Sequence, residues 1–145
     1  MVEYESIAQM MQFSANAAIQ SAKERFGFHL DYSEATLEPL ETILINVTAN
    51  LPADAADKIE YETKLWGSYF GEVIRQRWEG AWELSQYPGS ALMVPAITIQ
   101  GGLQLYPLMK VYRRITLGDA ENLWQYYQKI RQKLVLVHPS DAPSV

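Results

Sequence analysis

The sequence predicts an α+β domain that is mainly helical, with about five helices and a small antiparallel three-stranded meander between the third and fourth helices. Apolar residues recur at helical spacing over most of the chain, and the period shortens towards two between residues 80 and 105. The 145 residues fit one domain. We expect this domain to span residues 1–137, followed by a loose tail over residues 138–145.

The first helix is predicted over residues 3–26, and Gly27 is expected to end it in a left-handed conformation. Its small side chains would allow another helix to approach closely. The predicted buried face consists of Ile7, Met10, Met11, Ser14, Ala17, Ala18, Ala22 and Phe26.

The second helix is marked by leucines from Leu37 to Leu51 and is expected to end before Pro52. Pro39 would disrupt the interior of a helix, because it lacks an N–H group. With Thr36 at the N-cap, Pro39 falls at the third helical position, where its N–H would have no partner within the helix. The residues before Thr36 are predicted to form a turn or a short helical start.

The third helix is predicted from about Asp54 to Trp78. Its apolar stripe is too wide for one partner, so we expect several elements to cover it and the helix to be central. The stripe consists of Ile59, Leu65, Trp66, Tyr69, Phe70, Val73 and Ile74.

The segments "AWELSQ" and "PAITIQ" are predicted strands around a "YPGS" turn, and "ITIQGGLQLYP" is predicted to be a second hairpin. A two-residue Gly-Gly turn would place isoleucine opposite glutamine. A three-residue loop over residues 100–102 instead pairs Ile99 with Leu103 and Ile97 with Leu105. We favour this loop because it leaves one face wholly apolar.

Pro107 is predicted to open the fourth helix and Gly118 to end it, with Asp119 as the cap of the fifth. The apolar stripe of the fourth helix is Leu108, Val111, Tyr112 and Ile115, with Lys110, Arg113 and Arg114 on the opposite side. The fifth helix carries Leu123, Tyr127, Ile130 and Leu134 on one face.

The composition excludes several classes of chemistry. The chain has no cysteine, which excludes thiol catalysis, disulfides and cysteine-bound zinc. No zinc-protease, calcium-loop or phosphate-loop motif occurs, so we predict neither a metal nor a cofactor. The acidic N-terminus is unlike a signal peptide, and no apolar run reaches about 18 residues. A cytoplasmic protein without a membrane segment is expected.

The net charge of −5 is unevenly distributed. Residues 1–100 carry fourteen acidic and six basic side chains, whereas residues 101–145 carry three acidic and six basic ones. Nucleic-acid binding would use Lys110, Arg113, Arg114, Lys129, Arg131 and Lys133. A nucleic-acid site needs a denser basic patch, so we expect the two regions to neutralise each other instead.

The segment "LWGSYFGEVIRQRWEGAWELSQ" is the most unusual part of the chain. Gly67 and Gly71 lie one turn apart on the predicted helix, although each glycine costs about 1 kcal/mol relative to alanine. Their spacing predicts a close approach of another backbone, from either the first helix or the meander.

Glu72 follows these glycines among large aromatic residues. A buried carboxylate needs donors, and we expect a backbone N–H, a tyrosine hydroxyl, or Arg113 or Arg114 to supply them. A satisfied structural acceptor is the preferred interpretation, and a general base or ligand contact is the alternative. The candidate binding residues are Tyr69, Glu72, Trp82, Arg113 and Arg114, and Glu72 is the one candidate for catalysis.

Three segments resemble an uncharacterised family of small bacterial proteins, domains of unknown function. They are "LDYSEATLEPLETIL", "GSYFGEVIRQRWEGAWEL" and "GGLQLYPLMKVYRRITLGDAENLWQYYQKI", and the resemblance covers roughly residues 28–130. The family-like positions are Asp31, Tyr32, Ser33, Gly67, Tyr69, Gly71, Glu72, Trp82, Gly102, Pro107, Val111 and Gly118. The resemblance implies a shared fold, and no substrate or cofactor.

Two functional hypotheses follow from the sequence. The preferred one is a non-catalytic protein-interaction or accessory module, which binds another protein or a second copy of itself through an exposed apolar or aromatic surface. The alternative is a small-molecule-binding protein or hydrolase with Glu72 in an aromatic cleft.

Overall fold

The computed structural model describes residues 6–99 and 101–137. These residues form five α-helices and one antiparallel sheet, which confirms the predicted α+β class. The helices are α1 (Ile7–Phe26), α2 (Leu37–Ala49), α3 (Ala56–Trp78), α4 (Pro107–Leu117) and α5 (Leu123–Val137). The strands are β1 (Ala81–Gln86), β2 (Met93–Ile99) and β3 (Leu103–Leu105), in that order in the sheet. The predicted tail lies outside the described residues.

Both ends of α1 are capped. The Ser6 hydroxyl accepts a hydrogen bond from the backbone N–H of Gln9, and Gly27 ends the helix at φ 74°. The predicted start at residue 3 lies outside the described residues. Ala17 is exposed, so its placement on the buried face is wrong. Ala15 is buried instead, because the contact stripe runs from Met11 through Ala15, which is one turn further along.

Helix α2 begins at Leu37 as predicted, after a 3₁₀ turn over Glu34–Thr36. Pro39 therefore occupies the third helical position, where it breaks no hydrogen bond. The side chain of Thr36 does not cap the helix. Its hydroxyl instead donates to the carbonyl oxygen of Ser33 and lies 2.6 Å from the hydroxyl of Tyr69.

Helix α3 is the centre of the domain, as predicted. Residues 65–74 are all buried, which no single partner could achieve for a complete helical circumference. Helices α1, α2 and α4 and strand β2 all pack against it.

The two glycines of α3 meet different neighbours. A methyl group at Gly71 would lie 2.2 Å from the indole ring of Trp82, so the meander does approach closely here, but through a side chain and not through its backbone as predicted. A methyl group at Gly67 would lie 2.8 Å from the Cα atom of Leu108 in α4. The prediction that α1 or the meander approaches Gly67 is therefore wrong, because α4 packs against that side of α3.

The meander has the predicted register. Ile99 lies opposite Leu103 and Ile97 opposite Leu105, so the side chains of these two pairs share the face that packs on the helices. Residue 100 of the predicted loop lies outside the described residues.

Two predictions for the C-terminal helices are wrong. Arg114 is only 1% exposed, although the sequence placed it on the solvent side of α4. Asp119 does not cap α5, because a second 3₁₀ turn, Asp119–Glu121, precedes the helix. Asn122 caps it instead, accepting a hydrogen bond from the N–H of Gln125. Asp119 accepts from Arg114.

The contact between Gly71 and Trp82 predicts whether Gly71→Ala raises or lowers the free energy of unfolding. Helix propensity alone would make Gly71→Ala stabilising by about 1 kcal/mol. Because the new methyl group would overlap the indole ring, we expect destabilisation by about 1–3 kcal/mol instead. Urea unfolding of the variant and wild type measures the change, and a variant more stable than wild type would contradict the close packing described here.

Candidate functional site

The carboxylate of Glu72 is 2% exposed and is held by three side chains. Trp82 Nε1 donates to Oε2 at 2.8 Å, and the guanidinium of Arg75 donates to both oxygens, at 2.6 and 2.9 Å. Gln76 donates to Oε1 at 3.3 Å. Burial raises the pKa of Glu72, but the hydrogen bonds from Arg75, Trp82 and Gln76 and the charge of Arg75 lower it below its ordinary value.

The structure brings Trp82 to Glu72 but not the other predicted site residues. Tyr69 is buried, and its hydroxyl accepts a hydrogen bond from the backbone N–H of Tyr32. The predicted arginine donors are wrong. Arg113 pairs with Glu121 and Arg114 with Glu41, so neither donates to Glu72. Arg75 takes that role from the same helix, and its i, i+3 spacing was the available signal in the sequence.

Glu62 shows the same arrangement earlier on α3. It is 1% exposed, and Arg25 of α1 donates to its two oxygens at 2.6 and 3.1 Å. Trp66 Nε1 donates to Oε2 at 3.1 Å. The pairing of an arginine and an indole N–H on one buried carboxylate therefore occurs twice, once towards α1 and once towards the meander. Glu62 was not predicted from the sequence as a buried acceptor, although Trp66 lies four residues further along the same helix.

Glu41 joins α2 to the two C-terminal helices. Arg114 Nε donates to one of its oxygens at 2.7 Å, and the backbone N–H of Leu123 donates to the other at 2.8 Å. This second bond satisfies one of the free N–H groups at the start of α5. Each of these buried glutamates is thus a paired structural acceptor, which is the arrangement that makes a buried charge tolerable.

A groove of about 770 Å³ lies between α1, the N-terminal half of α3, β2 and α4. Its surface is mostly apolar, with methionine, leucine and tyrosine side chains on its walls and a run of alanines at one end. The lining residues are Met10, Met11, Ala53, Asp54, Ala55, Ala56, Ile59, Glu60, Thr63, Lys64, Pro95, Leu108 and Tyr112. We call this feature the α1–α3 groove.

A second apolar cavity, of about 230 Å³, adjoins the α1–α3 groove. The two are neighbours because Lys64 lines both. This second cavity is lined by Phe13, Ser14, Ala17, Tyr61, Lys64 and Leu65. The rings of Phe13 and Tyr61 are exposed at its edge, so the apolar surface continues along the junction of α1 and α3.

The meander extends the same surface at the other end. Leu84 lies opposite Pro95, which lines the groove, so both side chains project from the same face of the sheet. Met93 is two residues before Pro95 and shares that face. Leu84 and Met93 are both more than half exposed, so the apolar surface is longer than the groove itself.

A third cavity, of about 290 Å³, is polar and lies between the 3₁₀ turn Glu34–Thr36 and the C-terminal end of α3. It is lined by Tyr32, Ser33, Glu34, Gln76 and Arg77. The backbone of Tyr32 has φ 69°, a conformation rarely adopted by a residue with a bulky side chain. Its ring stacks on Tyr69 at 5.1 Å between centroids, which holds this conformation in place. Glu72 lines none of these three cavities.

No protein-family model matches this chain, and no curated protein or solved structure matches it. The resemblance to the bacterial family described above therefore stays a prediction. None of the helices in the described part of the chain has the length and apolar character needed to cross a membrane. Within residues 6–99 and 101–137, no group of three or more His, Asp or Glu side chains is arranged to hold a metal ion.

The contacts of Glu72 predict a pH-dependent contribution to stability. We expect Glu72→Gln to lower the free energy of unfolding by about 3 kcal/mol at neutral pH, because it removes one member of a buried ion pair. The folded-state pKa lies below the ordinary value of 4.5. The loss should therefore be complete above that value and should shrink as the pH falls through the folded-state pKa.

Urea unfolding of wild type and Glu72→Gln between pH 2.5 and 7 measures this difference. Glu60→Gln is the matched control, since Glu60 is an exposed glutamate of the same helix. A difference between wild type and Glu72→Gln that stays constant over the whole pH range would show that the charge of the carboxylate is not what stabilises the fold.

The hydroxyl of Thr63, beside the groove, is buried without a hydrogen-bond partner among the described residues. Thr63→Val should therefore leave the free energy of unfolding unchanged or raise it by up to about 1 kcal/mol, since no hydrogen bond is lost. Thr36→Val removes a hydroxyl that has two partners and should cost about 1–2 kcal/mol. Equal losses of stability in Thr63→Val and Thr36→Val, measured by urea unfolding, would mean that the Thr63 hydroxyl does form a hydrogen bond.

Proposed function

We propose that this protein is a non-catalytic protein-interaction module, and that its partner docks an amphipathic helix into the α1–α3 groove. The observation that carries the proposal is the groove itself, together with the exposed apolar side chains that continue its surface at both ends. An amphipathic helix binds such a groove through apolar residues at spacings of three, four and seven.

The extent of the surface favours a macromolecule over a small ligand. A volume of about 770 Å³ would also suit a small molecule. However, the apolar surface runs on from the groove to the cavity beside Phe13 and Tyr61, and at the other end to Leu84 and Met93. A small ligand that fills the groove would leave the exposed side chains beyond its two ends uncovered.

The side chains of the groove suit a protein partner. Met10 is partly exposed, unbranched and polarisable, and such a side chain adapts its shape to the surface that it contacts. Met11 is only 1% exposed and belongs to the core beneath the groove. Tyr112 lines the groove and is 44% exposed, so its ring is available for contact. Tyrosines of this kind often contribute a large share of the binding energy at protein interfaces.

The charges beside the groove indicate the chemistry of the partner. Asp54 and Glu60 line it and form no ion pair within the described residues, whereas Lys64 is the one basic side chain in the lining. The groove lining therefore carries more negative than positive charge. A helix with basic residues beside its apolar face would therefore be favoured over one with acidic residues, because complementary charge raises both specificity and the association rate.

The geometry of Glu72 supports the non-catalytic interpretation. A general base must reach the proton of a bound substrate. Both oxygens of Glu72 accept hydrogen bonds from Arg75, and the whole residue is 2% exposed. The carboxylate is better suited to holding Trp82 against α3 than to binding a substrate.

The test uses two synthetic helical peptides with the same apolar face, one with flanking lysines and one with flanking glutamates. We expect the lysine peptide to bind saturably in fluorescence anisotropy, and Tyr112→Glu to weaken it at least tenfold. Leu117→Glu is the matched control. It places the same charge on α4 at a residue that is 63% exposed and does not line the groove, and it should leave binding unchanged.

Three outcomes would overturn the proposal. The first is that neither peptide binds, the second is that the glutamate peptide binds more tightly than the lysine peptide, and the third is that Tyr112→Glu and Leu117→Glu weaken binding equally. Sedimentation equilibrium of the protein alone provides a further check. A dimer that is dissociated by Tyr112→Glu would assign the groove to a second copy of this chain and not to a different partner.

A further inference from the structure

The arginines of the described residues fall into two groups. Four of them donate hydrogen bonds to carboxylate oxygens of neighbouring elements or of the same helix, namely Arg25, Arg75, Arg113 and Arg114. The other two, Arg77 and Arg131, donate no hydrogen bond within residues 6–99 and 101–137. An arginine carries five N–H donors, so these two guanidinium groups have unused binding capacity.

Arg77 and Arg131 converge on one carboxylate. Arg77 Nε lies 3.2 Å from Oε1 of Glu34, and Arg131 Nε lies 3.7 Å from Oε2. Glu34 has a separate donor, because the hydroxyl of Tyr127 forms a close hydrogen bond with Oε2. Trp78 Nε1 in turn donates to the oxygen of Tyr127 at 3.1 Å. The carboxylate is therefore held in place without hydrogen bonds from either arginine.

The charge and exposure of this cluster favour an anionic ligand. Glu34 and the two guanidinium groups together carry a net charge of +1 in a protein whose overall charge is −5. The carboxylate of Asp31, which accepts a hydrogen bond from the N–H of Ser33, adds negative charge at the edge of the cavity and further limits the affinity for an anion. The side chains of Arg77 and Arg131 are 35% and 31% exposed, which allows contact with a ligand from solution. Guanidinium groups match the planar geometry of carboxylates and phosphates, often with two parallel hydrogen bonds.

A cavity adjoins this cluster on the side of Arg77 and Glu34, while Arg131 lies outside its lining. The polar cavity of about 290 Å³ is lined by Arg77 and Glu34, together with Ser33, Gln76 and Tyr32. Ser33 supplies a hydroxyl, whereas an amide N–H of Gln76 already donates to Glu72. Tyr32 is held there in its uncommon backbone conformation. Such conformations persist where the surrounding structure fixes them, and they occur often at ligand sites.

We propose that Arg77 and Arg131 bind the oxyanion group of a small molecule whose remainder occupies this polar cavity. The proposal is independent of the α1–α3 groove, since the two cavities share no lining residue. Glu34 orients the two arginines and partly neutralises them, so it limits the affinity. A carboxylate and a phosphate share the required chemistry, and the experiment distinguishes them.

The test is a titration of the ¹⁵N-labelled protein with sodium phosphate and, separately, with sodium acetate at constant ionic strength. The Nε–H resonances of the arginine side chains are followed by NMR. We expect saturable shifts of Arg77 and Arg131 with one of the anions, and this anion identifies the oxyanion class. Arg113 lies in a hydrogen-bonded ion pair and should shift only weakly and without saturation.

Substitutions of Arg77 and Glu34 should change the affinity for the anion in opposite directions. Arg77→Gln should weaken the binding about tenfold or more, the change expected when a charge-assisted hydrogen bond is lost. Glu34→Gln should strengthen it, because it removes the competing negative charge. Arg113→Gln is the control and should have no effect. If Glu34→Gln fails to fold, Arg131→Gln replaces it as the second variant and should also weaken binding.

Two results would overturn the proposal. One is a set of shifts that rise linearly with both anions and are equal at Arg77 and Arg113, which would indicate general screening of surface charge. The other is saturable binding that is unaffected by Arg77→Gln. Because peptide docking is measured on Tyr112, a failure here leaves the proposed interaction groove unaffected.

Discussion

The fold depends on the place where the indole ring of Trp82 lies against Gly71 and donates its N–H group to Glu72. A side chain at position 71 would displace the ring and remove a donor from a carboxylate that is almost completely buried. This one contact attaches the first strand of the meander to the central helix. Strand β2 also packs directly against α3, so the Trp82 contact fixes the β1 edge of a sheet that the helices hold at several points.

Buried carboxylates connect the other elements in the same manner. Glu62 joins α3 to Arg25 of α1, and Glu41 joins α2 to Arg114 of α4 and to the start of α5. A buried ion pair adds little net stability, because desolvation offsets most of the attraction between the charges. Its geometry is restrictive, however, since an incorrect packing would leave a charge buried without a partner. We infer that these pairs select one arrangement of the helices.

These acidic residues are occupied in holding the fold, so the accessible chemistry lies elsewhere. The α1–α3 groove offers apolar surface and the adaptable side chain of Met10. The polar cavity beside Glu34 offers Arg77, and Arg131 approaches the same carboxylate from outside the cavity lining. The two sites share no residue, so a protein partner and a small anion could be bound at the same time.

Local patterns were sufficient to place all five helices, the register of the meander and the central role of α3, because hydrophobic periodicity, glycine ends and proline positions act over a few residues. They also identified Gly71 and Glu72 as unusual. The partners of those residues were decided by tertiary structure. Arg113 and Arg114 were expected at Glu72, but packing of α4 against α2 directs Arg114 to Glu41. The groove and the convergence of Arg77 and Arg131 on Glu34 combine elements distant in the chain, and such contacts leave no signal in local spacing.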